Sequence, residues 1–196
     1  MKALYLIFVT IIIWSCQPKA RQFDLIIRKA MIYDGSGETP YAGDLAVSGD
    51  TIAAMGDLSR DRGNVEFDAQ NLSVAPGFIN MLSWANETLI EDGRSQSDLR
   101  QGVTLEVLGE GSSMGPWSDQ MIKEKQLAQG NIKYDIEWKT LGGYMEYMEA
   151  RGVATNLASF VGNATLRRYV MGYDQRTATS EEMEEMTNLL DREMAM

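Results

Sequence analysis

From residue 72 onward the chain alternates short apolar runs with amphipathic stretches, and that alternation restricts it to a parallel sheet covered by helices. Leu72 to Met81 is apolar and interrupted by Pro76-Gly77, which predicts two short strand segments around a corner. Ser95 to Gln101 predicts a helix closed by Gly102. Val103 to Leu108 is a second strand, with Gly109-Glu110-Gly111 turning tightly at its C-terminal end. Ser118 to Gln129 predicts an amphipathic helix capped by Ser118 and closed by Gly130. Thr140 to Arg151 reads as helix despite Gly142-Gly143, with a stop at Gly152, and Leu157 to Val161 is a third strand ending in Gly162-Asn163. Thr179 to Glu182 matches a capping box, and Met183, Met186, Leu190 and Met194 mark one buried face of the helix that follows. That helix shows no cap or glycine before Met196. About three strand–helix units are present, whereas a closed barrel takes about eight and roughly 250 residues. The expectation is therefore the N-terminal portion of a larger fold.

Residues 23–75 carry a different pattern, that of a small β-rich unit. Asp24 to Tyr33 is aliphatic apart from Arg28 and Lys29, and Asp34-Gly35-Ser36-Gly37 supplies a turn. Asp44 to Ser48 and Thr51 to Met55 flank Gly49-Asp50, a hairpin signal, and Asn64 to Ala69 alternates as a further strand. Periodicity alone assigns this stretch no more than a β-sandwich unit.

The first residues read as an export signal. Lys2 precedes an apolar run from Leu4 to Trp14 that is too short to span a bilayer comfortably. Ile13-Trp14-Ser15-Cys16 resembles a bacterial lipobox, although Trp14 is an unusual occupant of its place, and an ordinary secretory signal is the alternative. The expected organisation is a lipoprotein signal peptide over 1–15, a tether over 16–22, the β unit over 23–75 and a partial barrel over 76–196. Cys16 is the one cysteine, so lipidation would leave no thiol for a disulfide and would hold the protein at the bacterial cell envelope.

Two counts limit function. The formal net charge is −10 with no basic stripe, which argues against a nucleic-acid partner. There is no histidine, and most zinc sites and general bases depend on imidazole.

Several segments, in order, resemble the amidohydrolase superfamily, in its N-acyl-D-amino-acid deacylase (D-aminoacylase) branch. Asp24-Leu25-Ile26-Ile27-Arg28, Tyr33-Asp34-Gly35-Ser36-Gly37 and Asp50 to Leu58 look like the β-sandwich that precedes the barrel in such proteins. Val74-Ala75-Pro76-Gly77-Phe78-Ile79-Asn80 resembles the start of barrel strand one, and Gln101-Gly102-Val103-Thr104 that of strand two. Val161 to Arg167, followed by Val170-Met171-Gly172-Tyr173, is similar to the branch after strand three. The fold implied is α/β: a small N-terminal β-sandwich unit, then the first part of a TIM-like (β/α)8 barrel. The activity implied is metal-dependent hydrolysis of carbon–nitrogen bonds other than ordinary peptide bonds. Its substrate would be a small N-acylated amine or amino acid, and its divalent metal zinc. Zinc in such sites acidifies a bound water and polarises the scissile carbonyl, while a carboxylate carries the proton.

The departures from that branch fall on metal ligands. The family's His-x-His at the end of strand one is Leu82 and Trp84 here, and the acidic position before it is Asn80. None of these side chains replaces a zinc-binding imidazole or carboxylate. At the end of strand two, Glu110 falls where the branch often has a metal-bound cysteine; it is either a substitute zinc ligand or a solvated loop glutamate. Asn163 stands where a histidine is common, and a turn or cap role explains it as well. The remaining ligands and the catalytic aspartate are expected beyond Met196, so this polypeptide by itself is expected to be inactive and unable to hold the metal.

Other constellations have plainer explanations. Gly109 to Gly115 is glycine-rich but lacks the Gly-Lys-Ser/Thr of a phosphate loop. Glu181-Glu182 and Glu184-Glu185 read as the solvated face of a helix, and the 13 methionines as packing. Asp92, Arg94, Ser95 and Asp98 are candidates to line the barrel mouth, with a plain loop as the simpler reading. Two functions remain: an amidohydrolase with a reduced, single-metal site, or a degraded relative that binds a ligand or partner at the envelope.

Overall fold

The computed structural model describes residues 19–195; the expected signal peptide and Cys16 lie outside the described residues. The chain divides into two compact units, Met1–Pro76 and Gly77–Met196.

The first unit holds β1 (Gln22–Ile32), β2 (Tyr41–Ser48), β3 (Thr51–Gly56), β4 (Arg62–Asp68) and β5 (Ser73–Val74). They form one sheet in the order β3-β2-β1-β4, with β5 also on β1. β1 pairs with β2 along one edge and with both β4 and β5 along the other, and it carries a bulge. Its register with β2 shifts between Ile27 and Ala30, where Lys29 has φ 54°. Residues before the bulge pair parallel with β4, and Met31 and Ile32 pair parallel with β5. Arg28 stands at that bend and binds Asp44 at 3.0 Å, Glu66 at 2.9 Å and the carbonyls of Leu58 and Asp61. The Arg28 guanidinium, with help from the Gly63 N–H, holds the Glu66 carboxyl down at about 2. The charged pair that breaks the aliphatic run in sequence is thus the hinge of the strand. Ile26, Ala46 and Leu58 pack under one half of β1, and Ala30, Ile32, Leu45 and Ala69 under the other.

In the second unit, β6 (Phe78–Asn80), β7 (Val103–Leu108) and β8 (Asn156–Ser159) form a parallel sheet in chain order. Short helices α1 (Thr88–Glu91) and α2 (Gln96–Leu99) join β6 to β7. Then come α3 (Asp119–Ala128) and α4 (Leu141–Arg151) before β8, and α5 (Asn163–Met171) and α6 (Ser180–Met194) after it. The predicted caps are present: Ser118 accepts from the Met121 N–H, Thr140 from the Gly143 N–H, and Thr179 with Glu182 closes the capping box. Leu108, Trp117, Trp138, Tyr144 and Met148 belong to the buried core between sheet and helices. Trp138 centres it, with ring centroids 4.7 Å from Tyr147 and 5.3 Å from Tyr144.

Four expectations change. The helix over Ser95 to Gln101 shrinks to the single turn of α2, and β8 begins one residue earlier than predicted and stops at Ser159. α5 fills Asn163 to Met171, where the sequence pattern predicts no element. On α6 the buried stripe is Met186, Leu189 and Glu193, whereas Met183 and Met194 are 54% and 69% exposed. The stripe rotates because Glu193 turns inward: its carboxylate accepts the Leu141 N–H at 2.6 Å, satisfying the first free amide of α4.

Candidate functional site

The segments that follow β6, β7 and β8 leave the same end of a parallel sheet, the end at which such folds place their sites. After β6, Asn80 Oδ1 accepts the Leu82 N–H at 3.3 Å, and the Ser83 N–H donates to the Val107 carbonyl at 2.9 Å. Ser83 Oγ donates to Glu106 Oε2 at 2.6 Å, so Ser83 is buried while its neighbours Leu82 and Trp84 stand 53% and 70% exposed. Leu82 and Trp84, the positions at which resemblance leads one to expect metal ligands, are therefore exposed on either side of a buried serine, and each carries an apolar side chain.

Glu106 is a buried carboxylate that no sequence motif marks. It is fully buried on β7 and accepts Ser83, Ser95 Oγ at 2.7 Å and Thr155 Oγ1 at 3.0 Å. Three hydroxyl donors satisfy a carboxylate that has no cation partner among the described residues. A glutamate between Leu105 and Val107 in the Val103–Leu108 strand was the available signal.

Glu110 follows β7 and is exposed between Gly109 (φ 81°) and Gly111 (φ 74°). A side chain at Gly109 would meet the Phe160 carbonyl oxygen at 2.4 Å, so the turn carrying Glu110 lies against the end of β8. The next residues are rigidly held. The Ser113 N–H donates to Thr165 Oγ1 at 2.8 Å, and the Gly162 N–H donates to Ser113 Oγ at 2.9 Å. Indole N–H groups of Trp117 and Trp138 donate to the Ser113 and Met114 carbonyls. Gly162 admits this approach, since a Cβ there would lie 2.6 Å from the Ser113 nitrogen. Asn163 is the first residue of α5 and exposed; the cap position is Gly162.

The structure thus brings Leu82, Trp84, Glu110 and Asn163 to one end of the sheet. Among the described residues no three His, Cys, Asp or Glu side chains converge as a metal site, and Glu110 is a single candidate ligand. Of the four loop candidates, Asp98 accepts from Asn80 Nδ2 at 3.3 Å at the end of β6 and Ser95 binds the buried Glu106, whereas Asp92 and Arg94 pair with each other. The Gly93 carbonyl accepts the Ala154 N–H at 2.8 Å, which docks this loop on the segment leading into β8. Arg94 closes on Asp92 at 2.7 Å and holds its carboxyl at about 2.

No protein-family model matches the chain. A D-aminoacylase of Alcaligenes xylosoxydans xylosoxydans is 34% identical over 189 residues, covering 91% of this chain and 37% of that protein. The chain therefore spans about 37% of the length of this curated relative. The N-acyl-D-glutamate deacylase of Bordetella bronchiseptica, solved with zinc and a phosphonate mimic of the tetrahedral intermediate, superposes with a TM-score of 0.75. Its identity is 26%, over 89% of this chain and 37% of that one. A D-aminoacylase structure, from work on its binuclear metal centre that describes one-metal activation and second-metal attenuation, gives a TM-score of 0.74. Its identity is 31%, over 88% and 36% of the two chains. By sequence and by fold, the chain belongs to the D-aminoacylase branch of the amidohydrolase superfamily.

Proposed function

We propose that the whole protein is an amidohydrolase that cleaves N-acylated D-amino acids with a single divalent metal, zinc by preference. The observation that supports it most is the retained framework. The described residues superpose on D-aminoacylase and N-acyl-D-glutamate deacylase structures with TM-scores of 0.74 and 0.75, and the departures expected from resemblance fall on Leu82 and Trp84. In a relative, one metal is described as activating and the second as attenuating. Losing one pair of ligands is therefore compatible with turnover.

The described residues do not amount to a metal site. Glu110 supplies at most one oxygen ligand, and Leu82 and Trp84 supply none. In this reading the other ligands and the catalytic carboxylate come from sequence beyond Met196. What this chain contributes is position: Glu106 fixes the β6 end through Ser83, and Ser113 with Thr165 fixes the turn after β7. A second reading, a catalytically silent binder at the envelope, draws on the same two apolar substitutions. The deciding assay is release of free D-amino acid from N-acyl-D-aspartate, N-acyl-D-glutamate and neutral N-acyl-D-amino acids by the whole protein. Chelator-sensitive release is expected; a metal-loaded but inert protein would favour the silent binder.

The envelope location rests on Cys16 as the lipidated residue. Cells fed a labelled fatty acid should incorporate label into the protein, and Cys16→Ser should abolish it. Equal labelling of both forms would remove the anchor from the account.

A further inference from the structure

Glu106 faces the helix side of the second unit's sheet. It stands two residues before Leu108 on β7, so both side chains leave the same face, and Leu108 belongs to the core between sheet and helices. The described residues enclose it completely, at 0% exposure. The bonds it accepts from Ser83 and Ser95, at 2.6 and 2.7 Å, have the length that an ionised acceptor gives. A carboxylate in that place reaches the strand ends only through its hydrogen-bond partners.

Its three donors are not equivalent. Ser95 and Thr155 lie in segments that other bonds already hold. The Ala154 N–H donates to the Gly93 carbonyl at 2.8 Å, which joins the loop of Ser95 to the segment of Thr155. The Ser95 carbonyl accepts the Leu99 N–H at 2.9 Å, and Asn156 Nδ2 donates to the Thr104 carbonyl at 3.0 Å. The segment after β6 depends on Glu106 more directly. Among the described residues, Ser83 is the one residue of 81–84 whose side chain makes a hydrogen bond. Its Oγ donates to Glu106 and accepts the Ala85 N–H at 3.3 Å, and the Ala85 carbonyl in turn accepts the Leu89 N–H at the start of α1. One carboxylate oxygen thus orders the backbone from the end of β6 into α1.

We infer that Glu106 is a positioning residue for the site, acting through its single bond to Ser83, while Ser95 and Thr155 hold the carboxylate itself. This inference rests on the amidohydrolase reading, and its test separates the two. In the whole protein, kcat, KM and bound metal are measured for Glu106→Gln, Ser83→Ala, the two combined, and Thr155→Val, with an N-acyl-D-amino acid as substrate. Glu106→Gln and Ser83→Ala should each lower kcat by about tenfold or more, with KM and metal content within about twofold of the unmodified protein. The combined variant should fall no further than Glu106→Gln alone, because both substitutions cut the same bond. Thr155→Val keeps the shape of the side chain without its hydroxyl, and should leave kcat within about twofold. If Glu106→Gln does not fold, Ser83→Ala against Thr155→Val carries the comparison. Losses that multiply in the combined variant, an unmoved kcat in Ser83→Ala, or an equal loss in Thr155→Val overturn the inference while leaving the amidohydrolase reading intact. If the unmodified protein hydrolyses no N-acyl-D-amino acid, the amidohydrolase reading falls, and amide hydrogen exchange decides the coupling alone. Exchange about tenfold faster at Ser83 and Ala85 in Glu106→Gln, and unchanged there in Thr155→Val, upholds it. Unchanged exchange in Glu106→Gln, or equal acceleration in Thr155→Val, overturns it.

Discussion

Alanine in place of Trp138 is expected to cost the second unit about 4 kcal/mol of stability. Trp138 lies in the irregular stretch between α3 and α4, where no strand or helix holds the backbone. Side chains do that work instead. The Trp138 ring stacks on Tyr134 at 6.1 Å, meets Tyr147 at 4.7 Å and Tyr144 at 5.3 Å, and its N–H donates to the Met114 carbonyl at 2.6 Å. Alanine would empty the centre of this cluster and also leave the Met114 carbonyl buried without that donor. A loss of this size is a large part of a typical domain stability of about 5–15 kcal/mol. Trp84→Ala, by contrast, should change stability by no more than about 0.5 kcal/mol, because Trp84 is exposed and packs into no cluster. Urea unfolding followed by circular dichroism measures both. Equal losses for the two tryptophans would contradict the placement of Trp138 in the core and of Trp84 at the surface.

The second large effect concerns metal. Leu82→His and Trp84→His together are expected to raise the metal content of the whole protein from one ion per chain to two. Ser83 is pinned to Glu106 and to Val107, so residues 82 and 84 both face away from it with their backbone already set. Imidazoles there would supply the nitrogen ligands that zinc favours. The relative described as activated by one metal and attenuated by a second gives the sign for activity: the doubly substituted protein should turn over more slowly. Elemental analysis and the hydrolysis assay read the two consequences separately. Unchanged metal content would mean that the outward presentation of residues 82 and 84 is not the one a metal needs.

Much of the fold was legible because local signals and global packing agreed. Val103 to Leu108 is a strand by composition and by position, and the caps Ser118, Thr140 and Thr179 each bond as their sequence context predicts. The failures came where tertiary partners decide. α5 carries Thr165, Tyr169 and Val170, which have modest helix preference; it is closed in place by Gly162 and by the clamp from Ser113 to Thr165. The face of α6 turned because Glu193 finds an amide of α4, a contact 52 residues away that no periodicity encodes. At the site, the departure expected at Leu82 and Trp84 rests on resemblance alone. The Glu106 node was hidden, since its three hydroxyl donors come from separate segments at Ser83, Ser95 and Thr155.

The most direct measurement is the metal-to-protein ratio of the purified whole protein, taken with its rate of N-acyl-D-amino acid hydrolysis. One ion per chain together with turnover is the predicted result. Two ions would mean that ligands outside positions 82 and 84 rebuild a binuclear centre, and no ion with no turnover would contradict the amidohydrolase function itself.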